Sequence, residues 1–242
     1  MVLFDYSREP RSDIAFVDMK SFYASCECIA LGLDPLKTSL CVMSRIENSA
    51  GLILAATPLF KKNFGSQNVS RSYNLPFDVH TRKFNYAAAR KQGLPITADY
   101  VRFIEDAAQK TLLVPPRMNY YIQKNMEIQK IFQDFAAPDD IFPYSIDEGF
   151  LDLTSSINYF IPDQTLDRRT KLDLLAARIQ QAIWKKTGIY ASIGLSNANP
   201  LLAKLALDIE AKHTKKMRVN WSYEDVPNKV WSIPTMTDFW GI

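Results

Sequence analysis

An aspartate closes one apolar run, DIAFVDMKSF, and an adjacent pair of acids interrupts a second segment, FPYSIDEGFLDLT. These residues, Asp18, Asp147 and Glu148, are the ones whose types and placement could do chemistry. Ile14 to Val17 read as a buried strand that delivers Asp18 to a sheet edge or cleft. The acid pair falls between two strand-forming runs, at the turn of a hairpin. If the strands are neighbours in one sheet, three carboxylates meet, and such a cluster repels itself unless protons or cations are present. Oxygen-only ligands suit Mg²⁺ or Mn²⁺, and two such ions sharing carboxylates are the apparatus of in-line phosphoryl transfer. Each part also has an ordinary reading, since acids are common in exposed turns and Asp18 fits a helix N-cap for the segment that follows.

Cations near the phosphates should accompany such a site. Lys204 lies early in a helix opened by Asn199-Pro200, where the helix dipole disfavours a cation and favours an anion, so a bound phosphate would resolve the conflict. Lys61 and Lys62 follow the strand-like GLILAAT at a strand-to-helix step. Other chemistries lose ground: there is no phosphate-binding glycine loop, no dinucleotide fingerprint and no His-Glu-x-x-His. Cys26, Cys28 and Cys41 are too few for a disulfide framework, and His80 and His213 stand too far away to complete a zinc site. A net charge of +3 over 242 residues does not by itself establish nucleic-acid binding, although Lys212, Lys215, Lys216 and Arg218 form a basic run. No apolar run is long enough to span a membrane and the N-terminus lacks a signal peptide's pattern, so a cytoplasmic location is expected.

The elements that must position these residues can be read from periodicity. FYASCECIALGL reads as a helix, SLCVM and GLILAAT as strands, and residues 70–98 as a loop-rich insertion. DYVRFIEDAAQKTL and MNYYIQKNMEIQKIFQDF return to helical spacing, the latter with Tyr121, Met126, Ile128, Ile131 and Phe135 as its apolar face. Leu172, Leu175, Ile179 and Ile183 form one stripe of a later helix that Gly188 should cap. From residue 112 the order is helix, strand, carboxylate turn, strand, helix, strand, helix. That order predicts an α+β fold, a ferredoxin-like sheet with helices on one face. The last segment, VWSIPTMTDFWGI, stops without a cap or polar tail, so the chain is expected to be the front part of a longer protein.

Three segments in this order, DMKSFYASCE (18–27), YSIDEGFLDLT (144–154) and SIGLSNANPLLAKLALD (192–208), resemble the core motifs of Y-family translesion DNA polymerases, the UmuC-like branch above all. Together they frame nearly the whole chain. The resemblance implies a palm from residues 1–23 and 112–218, small fingers from 24–111 with a longer insertion around 70–110, and a truncated thumb from 219. It implies that Asp18, Asp147 and Glu148, with the carbonyl of Met19, hold two Mg²⁺ ions. It implies that Phe22 and Tyr23 meet the incoming nucleotide, Tyr23 as the steric gate against its sugar, and that Lys204 and Lys62 grip the triphosphate. Ile53 and Ala55 would roof the nascent base pair. The implied partners are primer-template DNA and deoxynucleoside triphosphates, with a sliding clamp or recombinase filament engaged through regions beyond Ile242. ATPLFKKNFG departs from the family by offering Leu59 where a Tyr or Asn usually holds the triphosphate. A nucleotidyl cyclase, or a catalytically silent DNA- or partner-binding relative, remains an alternative.

Overall fold

A computed structural model describes residues 5–44, 50–65 and 70–239. In chain order the elements are β1 (Ile14–Met19), α1 (Phe22–Ala30), β2 (Leu40–Met43), β3 (Ile53–Ala56), α2 (Pro58–Phe64), α3 (Tyr86–Lys91), α4 (Ala98–Gln109), β4 (Leu112–Val114) and α5 (Met118–Phe132). They continue with β5 (Ile141–Pro143), β6 (Glu148–Asp152), α6 (Ile157–Phe160), α7 (Arg168–Thr187), β7 (Ala191–Ser196), α8 (Pro200–Leu205), β8 (Arg218–Asn220) and α9 (Val226–Lys229). The chain divides into two compact units, residues 1–20 with 123–242 and residues 21–122. The expectations for residues 1–4 and 240–242 lie outside the described residues.

In the larger unit the sheet order is β5-β6-β1-β7-β8. β1 runs antiparallel to both β6 and β7, and β8 is parallel to β7. All six residues of β7 are buried, so both faces of the sheet are covered there. On the face carrying Phe16 and Gly194, α8 and the π-helical segment Ala206–Glu210 pack so closely that a β-carbon on Gly194 would lie 2.0 Å from the Ala203 carbonyl oxygen. α7 also packs on β7 and takes the opposite face, burying Leu172, Leu175, Ile179 and Ile183. Gly188 ends α7 in the left-handed region at φ 74°, where glycine carries no steric cost. The α+β fold is thus present, but the expected single helical face is not: helices cover both faces of β7, and α8, which carries Lys204, lies on the face opposite α7.

The smaller unit is built on a three-stranded sheet, β3-β2-β4, in which β2 pairs antiparallel with β3 and parallel with β4. Residues 112–114, expected in the second part of the palm, belong here because β4 pairs with β2, and the division falls at Ile122/Gln123. The expected loop-rich insertion contains α3 and a substantial part of this unit's core. Leu75, Phe77, Val79, Phe84 and Ala89 pack with Phe60, Phe64 and Ile104, and apolar burial of this kind stabilises by roughly 1.5–3 kcal/mol per large side chain. α5 also corrects its expected face: Tyr121, Ile128 and Ile131 are buried, but Met126 is 56% exposed and Phe135 lies beyond the helix end. Residues after 218 form no separate unit, because Trp221, Tyr223 and Val226 pack on Leu202 and Leu205. No helix among the described residues is long and apolar enough to cross a membrane.

Candidate active site

Strand register brings the acids together. Asp18 stands directly opposite Glu148 on β6 and Ser192 on β7. The hairpin turn before β6 is pinned to the end of β1, because the Met19 amide donates to the Asp147 carbonyl at 2.9 Å. From α5, the Asn125 side-chain amide donates to the Ile146 carbonyl at 2.7 Å and holds the turn from a second direction. The Ser145 hydroxyl donates to Asp147 Oδ1 at 2.9 Å and accepts from the Glu148 amide at 3.1 Å. The N-cap reading of Asp18 is displaced: Asp18 is still in the strand, and Ser21 occupies the cap position of α1.

The cations come from one helical run on the covered face. Asn199 caps α8 by accepting from the Leu202 amide at 2.9 Å, and Pro200 fills the first turn. Lys204 Nζ then reaches Glu148 Oε1 at 2.7 Å and Asp208 Oδ2 at 3.1 Å. Lys212 Nζ lies 2.8 Å from Asp208 Oδ1, 3.0 Å from Asp18 Oδ2 and 3.6 Å from Glu148 Oε1. In an uninterrupted α-helix, residues eight apart overshoot two turns by about 80°. The wider i→i+5 turns of residues 206–210 take up part of that angle, so both lysines address the same acids. Asp208, whose side chain is 1% exposed, and Lys212 did not emerge from sequence reasoning as site residues. The signal for them was the spacing of Lys204, Asp208 and Lys212 at successive intervals of four.

The cluster holds its charge unevenly. Burial pushes the Asp18 carboxyl up to about 7; the Lys212 ammonium pulls the other way, and a hydrogen bond shared with Glu148 adds to the rise. Burial also raises Glu148, but the hydrogen bond from Lys204, the contact with Asp18 and the nearby Lys204 and Lys212 charges outweigh it and hold Glu148 below its ordinary range. Asp147 is raised by burial, against the Ser145 hydroxyl, with the Glu148 charge adding to the rise. Burial would lower Lys212, yet the Asp18 and Asp208 charges prevail and raise it. Two ammoniums, Lys204 and Lys212, therefore face the acids Asp18, Glu148 and Asp208. Among the described residues, no three His, Cys, Asp or Glu side chains stand as a ready-made metal cage. Lys204 and Lys212 lie among the acids instead. The donor chemistry nonetheless suits a hard cation, being oxygen-only, and the buried hydroxyl of Ser192, cross-strand neighbour of Asp18, lacks a hydrogen-bond partner among the protein atoms.

The remaining sequence-predicted residues lie in the smaller unit. Tyr23 packs with Leu54 and Val114 against the cluster of Ala24, Cys28, Leu40, Val42 and Ala55. The Phe22 side chain is buried at 2% exposure, which leaves its backbone as the part able to meet a ligand. Ile53 is a correction. The pairing of β2 with β3 shifts between Val42 and Met43, so Leu54 is the extra residue of a bulge and Ile53 turns into the core opposite Met43, fully buried. It has no face to offer a base pair, whereas Leu54 and Ala55 lie on the side of Tyr23. Lys62 is exposed in the last turn of α2, where the helix dipole favours a cation without any ligand.

Residues 17–208 match the model of the impB/mucB/samB family. The chain is 34% identical over 240 residues to UvrX of Bacillus subtilis (strain 168), a protein named for UV-damage repair, covering 99% of this chain and 47% of UvrX. It is 29% identical over 226 residues to DNA polymerase IV 2 of the same organism, covering 93% of this chain and 44% of that protein. The solved insertion ternary complex of Dbh DNA polymerase is similar in fold, with a TM-score of 0.63 at 22% identity over 95% of this chain and 54% of that one. The chain spans about half the length of these relatives. By the extent of the family match, it belongs to the impB/mucB/samB family, the Y-family of DNA polymerases and DNA repair proteins.

Proposed function

We propose that this chain carries the palm and fingers of a template-directed, lesion-bypass DNA polymerase, which adds a deoxynucleotide to a primer 3′-hydroxyl with release of pyrophosphate. The observation that supports it most is the meeting of Asp18 and Glu148 across paired strands, with Asp147 locked to the end of the same strand. Asp18, Asp147, Glu148 and the Met19 carbonyl would hold two Mg²⁺ or Mn²⁺ ions. When bound, such ions polarise the reacting phosphate and stabilise both the attacking and the leaving oxygen. The residues do the rest. Burial and paired strands fix the carboxylates, so their orientation costs nothing at the moment of reaction. Lys204, held 2.7 Å from Glu148, is the cation placed to exchange that carboxylate for a triphosphate oxygen, and Lys212 would neutralise what Lys204 leaves behind.

In the smaller unit, Tyr23 is proposed as the gate that excludes a ribose 2′-hydroxyl, Leu54 and Ala55 as the surface toward the base pair, and Lys62 as a further triphosphate contact. Primer-template DNA and deoxynucleoside triphosphates are the proposed substrates. The test is primer extension with Mg²⁺ or Mn²⁺ on an undamaged template and on one bearing an abasic site. Incorporation opposite and past the abasic site is expected. Failure to extend even the undamaged primer with either ion would overturn the proposal in favour of a catalytically silent relative.

A further inference from the structure

The smaller unit buries a glutamate that the catalytic reading does not use. Glu27 lies one helical turn after Tyr23 on α1, so both project from the same side of the helix, and the Glu27 side chain is 6% exposed. Its carboxylate is held by Arg117, whose Nε lies 3.0 Å from Oε1 and whose Nη2 lies 2.7 Å from Oε2. It also accepts the Tyr121 hydroxyl at 2.7 Å. The Tyr121 ring, fully buried, lies flat against the Tyr23 ring, with centroids 4.5 Å apart and planes 13° from parallel. Burial raises the Tyr121 hydroxyl well above the ordinary phenol range, and the Glu27 hydrogen bond adds to the rise, so it stays a donor. The guanidinium of Arg117 covers the Tyr120 ring at 4.5 Å, closing the network on its outer side.

We infer that Glu27 and Tyr121 are positioning residues for Tyr23, a buried brace that fixes where its ring stands and thereby sets how strictly ribonucleotides are refused. The inference rests on the reading of Tyr23 as the sugar gate. A wall discriminates against one extra oxygen only as well as it resists being pushed aside, because a ring free to retreat by part of an ångström admits what it should exclude. The stacked Tyr121 ring stands behind Tyr23. Its own freedom to slide is removed by the hydrogen bond to Glu27, and the freedom of Glu27 is removed by the Arg117 fork. A fully satisfied polar network of this kind holds one geometry more firmly than apolar packing, which tolerates sliding. The hydroxyl-to-carboxylate bond thus anchors the far end of the ring on which Tyr23 stacks.

The experiment measures single-nucleotide insertion of a deoxynucleotide and of the matching ribonucleotide by the 242-residue chain, in wild type, Tyr121→Phe, Glu27→Gln, Tyr23→Ala and the Tyr23→Ala/Tyr121→Phe double variant, with a melting temperature for each. Tyr121→Phe keeps the stack and removes only the hydrogen bond. It should raise the ribonucleotide-to-deoxynucleotide ratio of kcat/KM by about 2- to 10-fold, the range an ordinary hydrogen bond commands. Glu27→Gln should move the ratio in the same direction. Tyr23→Ala should raise it further, and the double variant should equal Tyr23→Ala, since Tyr121 acts only through that ring. A lowered melting temperature with an unchanged ratio in Tyr121→Phe would overturn the inference, as would additive effects in the double variant. If Tyr23→Ala raises the ratio while Tyr121→Phe does not, the brace fails and the gate stands. If Tyr23→Ala leaves the ratio unchanged, or the wild type inserts nothing, the gate reading itself falls and the brace with it.

Discussion

Asp208 is the residue on which the cluster of charges turns. Nearly all its surface is buried, and it is the anchor that Lys204 and Lys212 share. Replacing it with alanine leaves two ammoniums facing fewer carboxylates inside the fold, which should cost about 3 kcal/mol of stability, measured by urea denaturation. An effect within the noise of a surface substitution would show that the two lysines do not depend on it. Asp18, Asp147 and Glu148 could be proposed from sequence because the three segments around them and Lys204 occur in one order as a set; each acid alone reads as an ordinary turn or cap residue. Lys212 and Asp208 could not, because the few charged residues of a run as apolar as LLAKLALDIEAK look like its solvated stripe until the opposing strand is known. Ile53 failed for a different reason. A one-residue bulge reverses which side chain faces the core, and nothing in the string GLILAAT marks where pairing slips.

At the scale of elements, the site depends on how closely α8 and its π-helical continuation lie on β7. Gly194 permits that approach: a methyl there would meet the Ala203 carbonyl oxygen at 2.0 Å and the Leu207 amide nitrogen at 2.4 Å, both backbone atoms that cannot swing aside. Gly194→Ala should therefore destabilise by about 3 kcal/mol or more and, because it lifts the segment that carries Lys204 and Lys212, weaken nucleotide use even under conditions where the chain stays folded. A variant with wild-type melting temperature and nucleotide KM would show that the helix seats elsewhere. Periodicity located α7 and β7 well, since Leu172 through Ile183 and the run ASIGLS keep one period throughout. It read residues 70–98 as loop because Pro76, Gly93 and Pro95 punctuate them; Leu75, Phe77 and Val79 do alternate as a strand would, but the pairing they reach is an isolated bridge between Phe77 and Phe84. The π-helical turns of 206–210 had no sequence signature to read.

At the scale of the molecule, a net charge of +3 and a length about half that of its relatives set an expectation for nucleic-acid binding. Few phosphates can be neutralised by this chain, so it should bind primer-template DNA weakly. The affinity should fall steeply with salt, by at least about tenfold between 50 and 200 mM, in a fluorescence anisotropy titration. Salt-independent binding would mean that contacts other than phosphate neutralisation dominate. The α+β architecture followed from element order alone, whereas the exact division at Ile122/Gln123 did not, since α5 begins in one unit and finishes in the other. The claim to which everything else is attached is that Asp18, Asp147 and Glu148 form the reaction centre. It is tested most directly by single-turnover insertion of one deoxynucleotide with saturating Mg²⁺, comparing wild type with Asp147→Asn and Asp18→Asn at matched melting temperature. The account predicts that both variants fold and lose at least about 10²–10³-fold in rate, because each keeps its shape and loses its charge. Variants that insert the nucleotide at the wild-type rate would contradict it.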